Sequence, residues 1–194
     1  MPDDMTADLA ATLHAARADQ GLSVSALAER SGVSRAMIAK IERGEAQPTA
    51  ALLGRLSAAL GLTLSELFAR TEGQLRRLAR TSDQTVWVDP QTGYRRRSVS
   101  PAGSSVQLVE VELPAGAKVA YPADSYALAH HHIWVLEGHL SFQEGDVEHE
   151  LHPGDCLELG APAPGNYRNT TGRPCRYLVI LSSRRQVPNI RSSP

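Results

Sequence analysis

The sequence predicts a two-domain chain, with an all-α domain first and an all-β sandwich or barrel after it. Three observations carry this. Apolar residues recur at helical spacing from Ala7 to Ala69, whereas beyond Val86 they fall in short runs separated by Pro/Gly turns. The formal net charge of −1 also separates along the chain: −2 over residues 1–5, zero over 6–69, +4 over 70–97, −6 over 98–181 and +3 over 182–194. A single uniform domain would not show a neutral head, a basic joint and an acidic body. The expected divisions are therefore an α domain at 1–69, a basic linker at 70–97, a β domain at 98–181 and a flexible tail at 182–194. Finally, 194 residues with 42% hydrophobic content suffice for two small packed cores.

Other classes are disfavoured. No apolar run reaches the 18 or so residues of a membrane span. The opening MPDDMTADLA places acids where a secretory signal needs a basic flank. Cys156 and Cys175 alone make neither a disulfide framework nor a zinc knuckle, and both read as small buried hydrophobes. A reducing, cytoplasmic setting is expected.

Five short helices follow in order. Leu9, Leu13 and Ala16 mark the first, and Gly21 stops it. Ser23 caps a second through Val24, Leu27 and Ala28, ended by Gly32. Ser34 caps a third containing Ile38 and Ile41. Pro48 and Thr49 precede a fourth with Leu52, Leu56, Ala59 and Leu60, which Gly61 ends. Thr63-x-x-Glu66 is a capping box for the fifth. Two helices meeting near a right angle need a small residue, a turn glycine and an apolar residue, and Ala28, Gly32 and Ile38 supply them in that order.

The stretch SVSALAERSGVSRAMIAKIERGEAQPT closely resembles the lambda-repressor and Cro-type (Xre) helix-turn-helix family, over about Leu9 to Phe68. Gly32-Val33-Ser34, Ile41-Glu42-Arg43-Gly44 and Pro48-Thr49 are its most specific parts. The resemblance implies a five-helix fold that lays the helix Ser34–Glu42 in a major groove of double-stranded DNA. Arg35, Ala36 and Lys40 then face bases, while Ser23, Ser34 and Arg43 are better placed for phosphates. Arg17 and Glu42 match a structural ion pair of the family. The family often has Gln and Glu where this chain has Val24 and Ala26, which removes a polar DNA contact and a capping carboxylate.

The joint RTEGQLRRLARTSDQ could form a short basic helix through Leu75, Leu78 and Ala79, although a solvated linker is favoured. Strands are then expected at Val106–Leu113, Ile133–Leu136, Leu140–Phe142, Val147–Leu151, Cys156–Leu159 and Tyr177–Leu181. Val135-Leu136-Glu137-Gly138, Pro153-Gly154-Asp155, Ala161, Pro164 and Asn169 resemble the frame of the cupin family, a double-stranded jelly-roll barrel, across roughly residues 100–181. Cupins usually hold a metal with three His and one Glu. Here Tyr126, His131 and Gly165 fall on ligand positions, so that set is mostly missing.

Six histidines lie between residues 130 and 152, yet strand alternation prevents His130, His131 and His132 from converging. No metal and no other cofactor is expected. His131 should face the barrel interior and His132 away from it. Tyr126, His131, Trp134, Gly165 and Tyr167 form the candidate effector pocket, where Gly165 would leave room for a ligand. Trp134, Phe142 and Tyr167 are otherwise core or pocket wall. The favoured function is a transcription regulator, a homodimer on a pseudo-palindromic operator, whose cupin domain binds a small-molecule effector. The alternative is a metal-dependent cupin enzyme, of isomerase or dioxygenase type, fused to an autoregulatory helix-turn-helix domain. No membrane partner is expected.

Overall fold

The structure, a computed structural model, describes residues 4–70 and 77–183. Five helices open it: α1 (Asp4–Asp19), α2 (Val24–Ser31), α3 (Arg35–Glu42), α4 (Ala50–Ala59) and α5 (Leu64–Ala69). Four of the five starts have a side-chain cap. Ser23, Ser34, Thr49 and Thr63 accept hydrogen bonds from the backbone N–H groups of Ala26, Met37, Leu52 and Glu66. Glu66 returns the bond to the Thr63 N–H, completing the capping box. The turn between α2 and α3 needs a left-handed residue, and Gly32 takes φ 65° there. Leu13, Leu27, Ile38, Ile41, Leu53 and Leu56 close the helical core.

Ten strands follow among the described residues. One antiparallel sheet runs β1 (Val86–Val88), β2 (Arg95–Ser98), β3 (Val106–Leu113), β10 (Cys175–Ser183), β5 (Ala129–Glu137) and β8 (Cys156–Glu158) in spatial order. The second runs β4 (Lys118–Tyr121), β9 (Gly165–Arg168), β6 (Leu140–Glu144) and β7 (Val147–Leu151). Val109, Val111, Ile133, Val135, Phe142 and Tyr177 fill the space between the two sheets.

Composition assigned residues 70–97 to a linker, but β1 and most of β2 lie inside that range. The reason is cross-strand charge. Arg95 and Arg97 stand opposite Glu112 and Glu110 of β3, and both rows form ion pairs on the outer face of the sheet. A basic run beside an acidic strand is therefore a ladder. The expected helix through Leu75 falls largely on residues outside those described, while Leu78 and Ala79 precede a 3₁₀ turn at Thr81–Asp83. β4 and β9 also went unread because each is short and carries polar or glycine residues.

Trp134 is a further correction. Strand alternation on β5 buries Ala129, His131, Ile133 and Val135, so the intervening Trp134 points outward and is 42% exposed. It belongs to neither core nor pocket. Cys156 is likewise exposed, whereas Cys175 is buried, which pushes its thiol pKa up to about 11.

The helical domain and the barrel share one continuous apolar core. The Trp87 ring lies 5.8 Å from Phe68 of α5 and 6.3 Å from Tyr94. At the start of α4, the Ala50 N–H donates to Asp89 Oδ2 of the barrel at 2.5 Å. Asp89 Oδ1 meanwhile accepts from the Gln91 and Thr92 N–H groups. Midway along α4, Gly54 meets Tyr121 so closely that an added Cβ would sit 2.5 Å from the ring. Gly54→Ala should therefore destabilise the protein by about 1–3 kcal/mol through overpacking. At an exposed helical site the same change would stabilise by roughly 1 kcal/mol. Urea unfolding decides between these signs, and a gain in stability would mean that α4 does not bear on the barrel.

Candidate functional site

The first surface is α3. Arg35, Ala36 and Lys40 are exposed on it, while Ile38 and Ile41 anchor the opposite side in the core. The Ser23 and Ser34 oxygens accept from Ala26 N–H at 3.1 Å and Met37 N–H at 3.2 Å. A hydroxyl used this way keeps its own proton for an external acceptor such as a phosphate. Arg43 is also exposed, but its guanidinium makes two 2.7 Å bonds to Glu45. A phosphate would have to exchange with that carboxylate.

Behind α3 stands the Arg17–Glu42 pair. Arg17 donates from Nε and Nη2 to the two Glu42 oxygens at 2.7 Å each, and from Nη1 to Leu22 O at 2.7 Å. The side chains are only 12% and 7% exposed. Burial pushes the Glu42 carboxyl pKa up, but hydrogen bonds from Arg17 and His14 outweigh it and leave the pKa below the ordinary 4.5. α3 is thereby tied to α1.

A lowered folded pKa gives stability that is present above the unfolded value and lost as pH falls through the folded one. The stability difference between wild type and Glu42→Gln should thus shrink below about pH 4.5. Denaturant melts from pH 7 to pH 3 measure it. At neutral pH, Arg17→Ala should cost about 3 kcal/mol, since it leaves a buried carboxylate with only the exposed His14 imidazole as its side-chain partner.

The second site is a cavity of about 60 Å³ where α4 and α5 close over the open end of the barrel. Gly54, Ser57, Leu64 and Ser65 come from the helices. The barrel supplies Tyr94, Tyr121, Tyr126, Tyr167 and Tyr177 with Arg96 and His131. Tyr167 stacks on Tyr177 at 5.6 Å and meets Tyr121 edge-on at 6.0 Å. Tyr126 sits edge-on to His131 at 5.2 Å. Burial raises the pKa of every one of these phenols, so each stays protonated and can donate. The Tyr94 and Tyr121 hydroxyls interact, as do those of Tyr126 and Tyr167. Even so, the Tyr121 and Tyr126 oxygens have no partner at hydrogen-bond geometry.

The structure brings together Tyr126, His131, Gly165 and Tyr167, and leaves Trp134 out. His131 is inward and buried, with Nδ1 donating to Ala129 O at 3.1 Å, whereas His132 lies on the outer face near Glu158. Gly165 does not open space for a ligand. A Cβ there would stand 2.1 Å from Tyr126 Oη, so the tyrosine already fills the place of the missing side chain. Sequence reading missed Arg96, Tyr94, Tyr121 and Tyr177. A period-two reading of Arg95-Arg96-Arg97 as a strand would have turned Arg96 inward.

The usual cupin metal set does not fit these residues. Among the described residues, no three His, Cys, Asp or Glu side chains converge to hold an ion. His139 pairs with Glu150 at 2.8 Å and packs on His152, while His149 approaches Glu144 at 3.5 Å.

Comparison with known proteins agrees with this division. The helix-turn-helix family model matches residues 13–67, and the cupin domain model matches residues 109–181. The HTH-type transcriptional regulator SutR of Escherichia coli (strain K12) is 25% identical over 167 residues, 83% of this chain and 86% of that protein. A crystal structure of an HTH_3 family transcriptional regulator from Vibrio cholerae superposes with a TM-score of 0.77 at 25% identity, covering 94% of this chain and 98% of that one. The chain thus joins an Xre-type helix-turn-helix domain, the architecture of DNA-binding transcription regulators, to a C-terminal cupin domain.

Proposed function

We propose that this protein is a sequence-specific transcription regulator whose cupin barrel binds a small-molecule effector and alters its grip on DNA. The observation that carries the reading is the double duty of α4. One side of this helix packs against α2 in the helix-turn-helix core, and Gly54 and Ser57 on another side close the barrel cavity. Its first N–H is bonded to a barrel carboxylate. A ligand in the cavity would press on the element that supports α2, and α2 sets the angle of α3.

Homodimer formation on a pseudo-palindromic operator is part of the reading. One eight-residue helix reads few base pairs, and two half-sites about one helical turn apart restore specificity. Arg35 can fork onto guanine O6 and N7, Lys40 can reach the same acceptors, and Ala36 can meet only a thymine methyl. No described helix is long and apolar enough to cross a membrane, and a regulator working on DNA would act in the cytoplasm.

The test is operator binding by Arg35→Ala. Sites selected from random DNA by the wild type should bind the variant about 1–3 kcal/mol more weakly, with preference lost at one base pair of each half-site. Equal weakening on every sequence would make Arg35 a phosphate contact and remove its assigned role.

A further inference from the structure

We infer that two copies of this chain dock through the outer face of the six-stranded sheet, around Trp134, Leu178 and Ile180. This rests on the homodimer reading above and names the surface that makes it. An antiparallel sheet with one side on a core and the other in water should be polar outside. The smaller sheet obeys. Tyr167 turns inward on β9, so Asn166 and Arg168 turn outward, beside Gln143 and Ser141 of β6. Arg168 and Ser141 there share the Glu148 carboxylate of β7.

The larger sheet breaks the rule. Tyr177, Val179 and Leu181 of β10 line the cavity, so Leu178 and Ile180 turn to the outside. Leu178 stands between Trp134 of β5 and Glu110 of β3, and Ile180 stands between His132 and Leu108. Trp134 and Val106, at opposite corners of this apolar block, are 42% and 46% exposed. Soluble monomers rarely leave a contiguous apolar patch of a few hundred Å² in water, and an outward Trp beside aliphatic residues is typical of an interface centre.

Charge selects the occupant. Residues 98–181 carry −6, a surplus that sets one barrel against another. Beside the patch, however, Arg95, Arg97 and Arg176 interleave with Glu110, Glu112 and Glu137 and cancel. A strongly basic or strongly acidic partner gains nothing from such rows. Two copies related by a two-fold axis can set the arginines of each against the glutamates of the other, because an alternating face is its own complement. Size agrees. At about 4.8 Å between strands and 3.3 Å per residue, the six strands present on the order of 600 Å² in projection, and more as accessible surface. A stable dimer needs roughly 800 Å² per partner.

The test is the oligomeric state of the full chain by analytical ultracentrifugation, free and on a DNA site selected by the wild type. The wild type should dimerise, and Trp134→Glu should raise the dimer dissociation constant about tenfold or more. Val106→Glu should weaken it too and takes the place of Trp134→Glu should that variant fail to fold. Val147→Glu, at an exposed apolar position on β7, should leave the dimer unchanged. Cys156 lies opposite Trp134 and is exposed, whereas Cys175 is buried. Its reaction with iodoacetamide should therefore slow as protein concentration rises, and Val106→Glu should remove that dependence.

A dimer that neither Trp134→Glu nor Val106→Glu weakens would overturn this surface and leave the homodimer reading standing. So would a dimer in which Val147→Glu does equal damage. A monomer at every concentration, with and without DNA, would overturn both. If that monomer's Cys156 became reactive only after deletion of residues 184–194, the face would belong to the chain's own tail.

Discussion

Everything in this molecule turns on where α4 can sit. The helix has an N–H bonded to Asp89 at one end and a glycine against Tyr121 in the middle. Neither contact tolerates much displacement. The carboxylate bond is directional, and the Gly54–Tyr121 approach leaves no space for even a methyl group. Because α4 also belongs to the helical core through Leu53 and Leu56, its position fixes α2 and, through the Gly32 turn, α3. The ion pair of Arg17 with Glu42 holds α3 from the other side. The DNA-facing helix is thus braced by a charge pair at its back and, at one remove, by the barrel.

The helical half was legible because its signals are local. Caps, turn glycines and a three-to-four spacing act within a few residues, and Ser23, Ser34, Thr49 and Thr63 all do what their chemistry suggests. The barrel was legible as strands and as a family frame, but not as a site. Arg96 stands in a run whose net charge reads as solvated, and its inward direction depends on pairing with β3, which is remote in sequence. Trp134 failed for a simpler reason. Placing His131 inward already commits position 134 to the outer face. The meeting of Gly54 with Tyr121 joins residues far apart in the chain, and no local pattern announces it.

Charge is distributed with the same economy. On the outer face of the larger sheet, Arg95, Arg97 and Arg176 alternate with Glu110, Glu112 and Glu137 across three neighbouring strands and β5. These exposed or half-exposed pairs are worth little individually. They do set register, since a one-residue slip would turn the arginines toward the core. Inside the barrel, by contrast, the buried Arg96 stands among phenols that remain neutral.

The space at Gly165 has a consequence for how such a barrel can change. Tyr126 occupies the volume that a side chain at 165 would need, so the two positions form one unit of substitution. Any side chain introduced at 165 collides with the phenol unless Tyr126 is replaced first. Removing Tyr126 alone leaves a void next to His131 and a wall with one donor fewer. The lining at this point is locked by a steric ratchet, and enlarging position 165 requires two coordinated replacements.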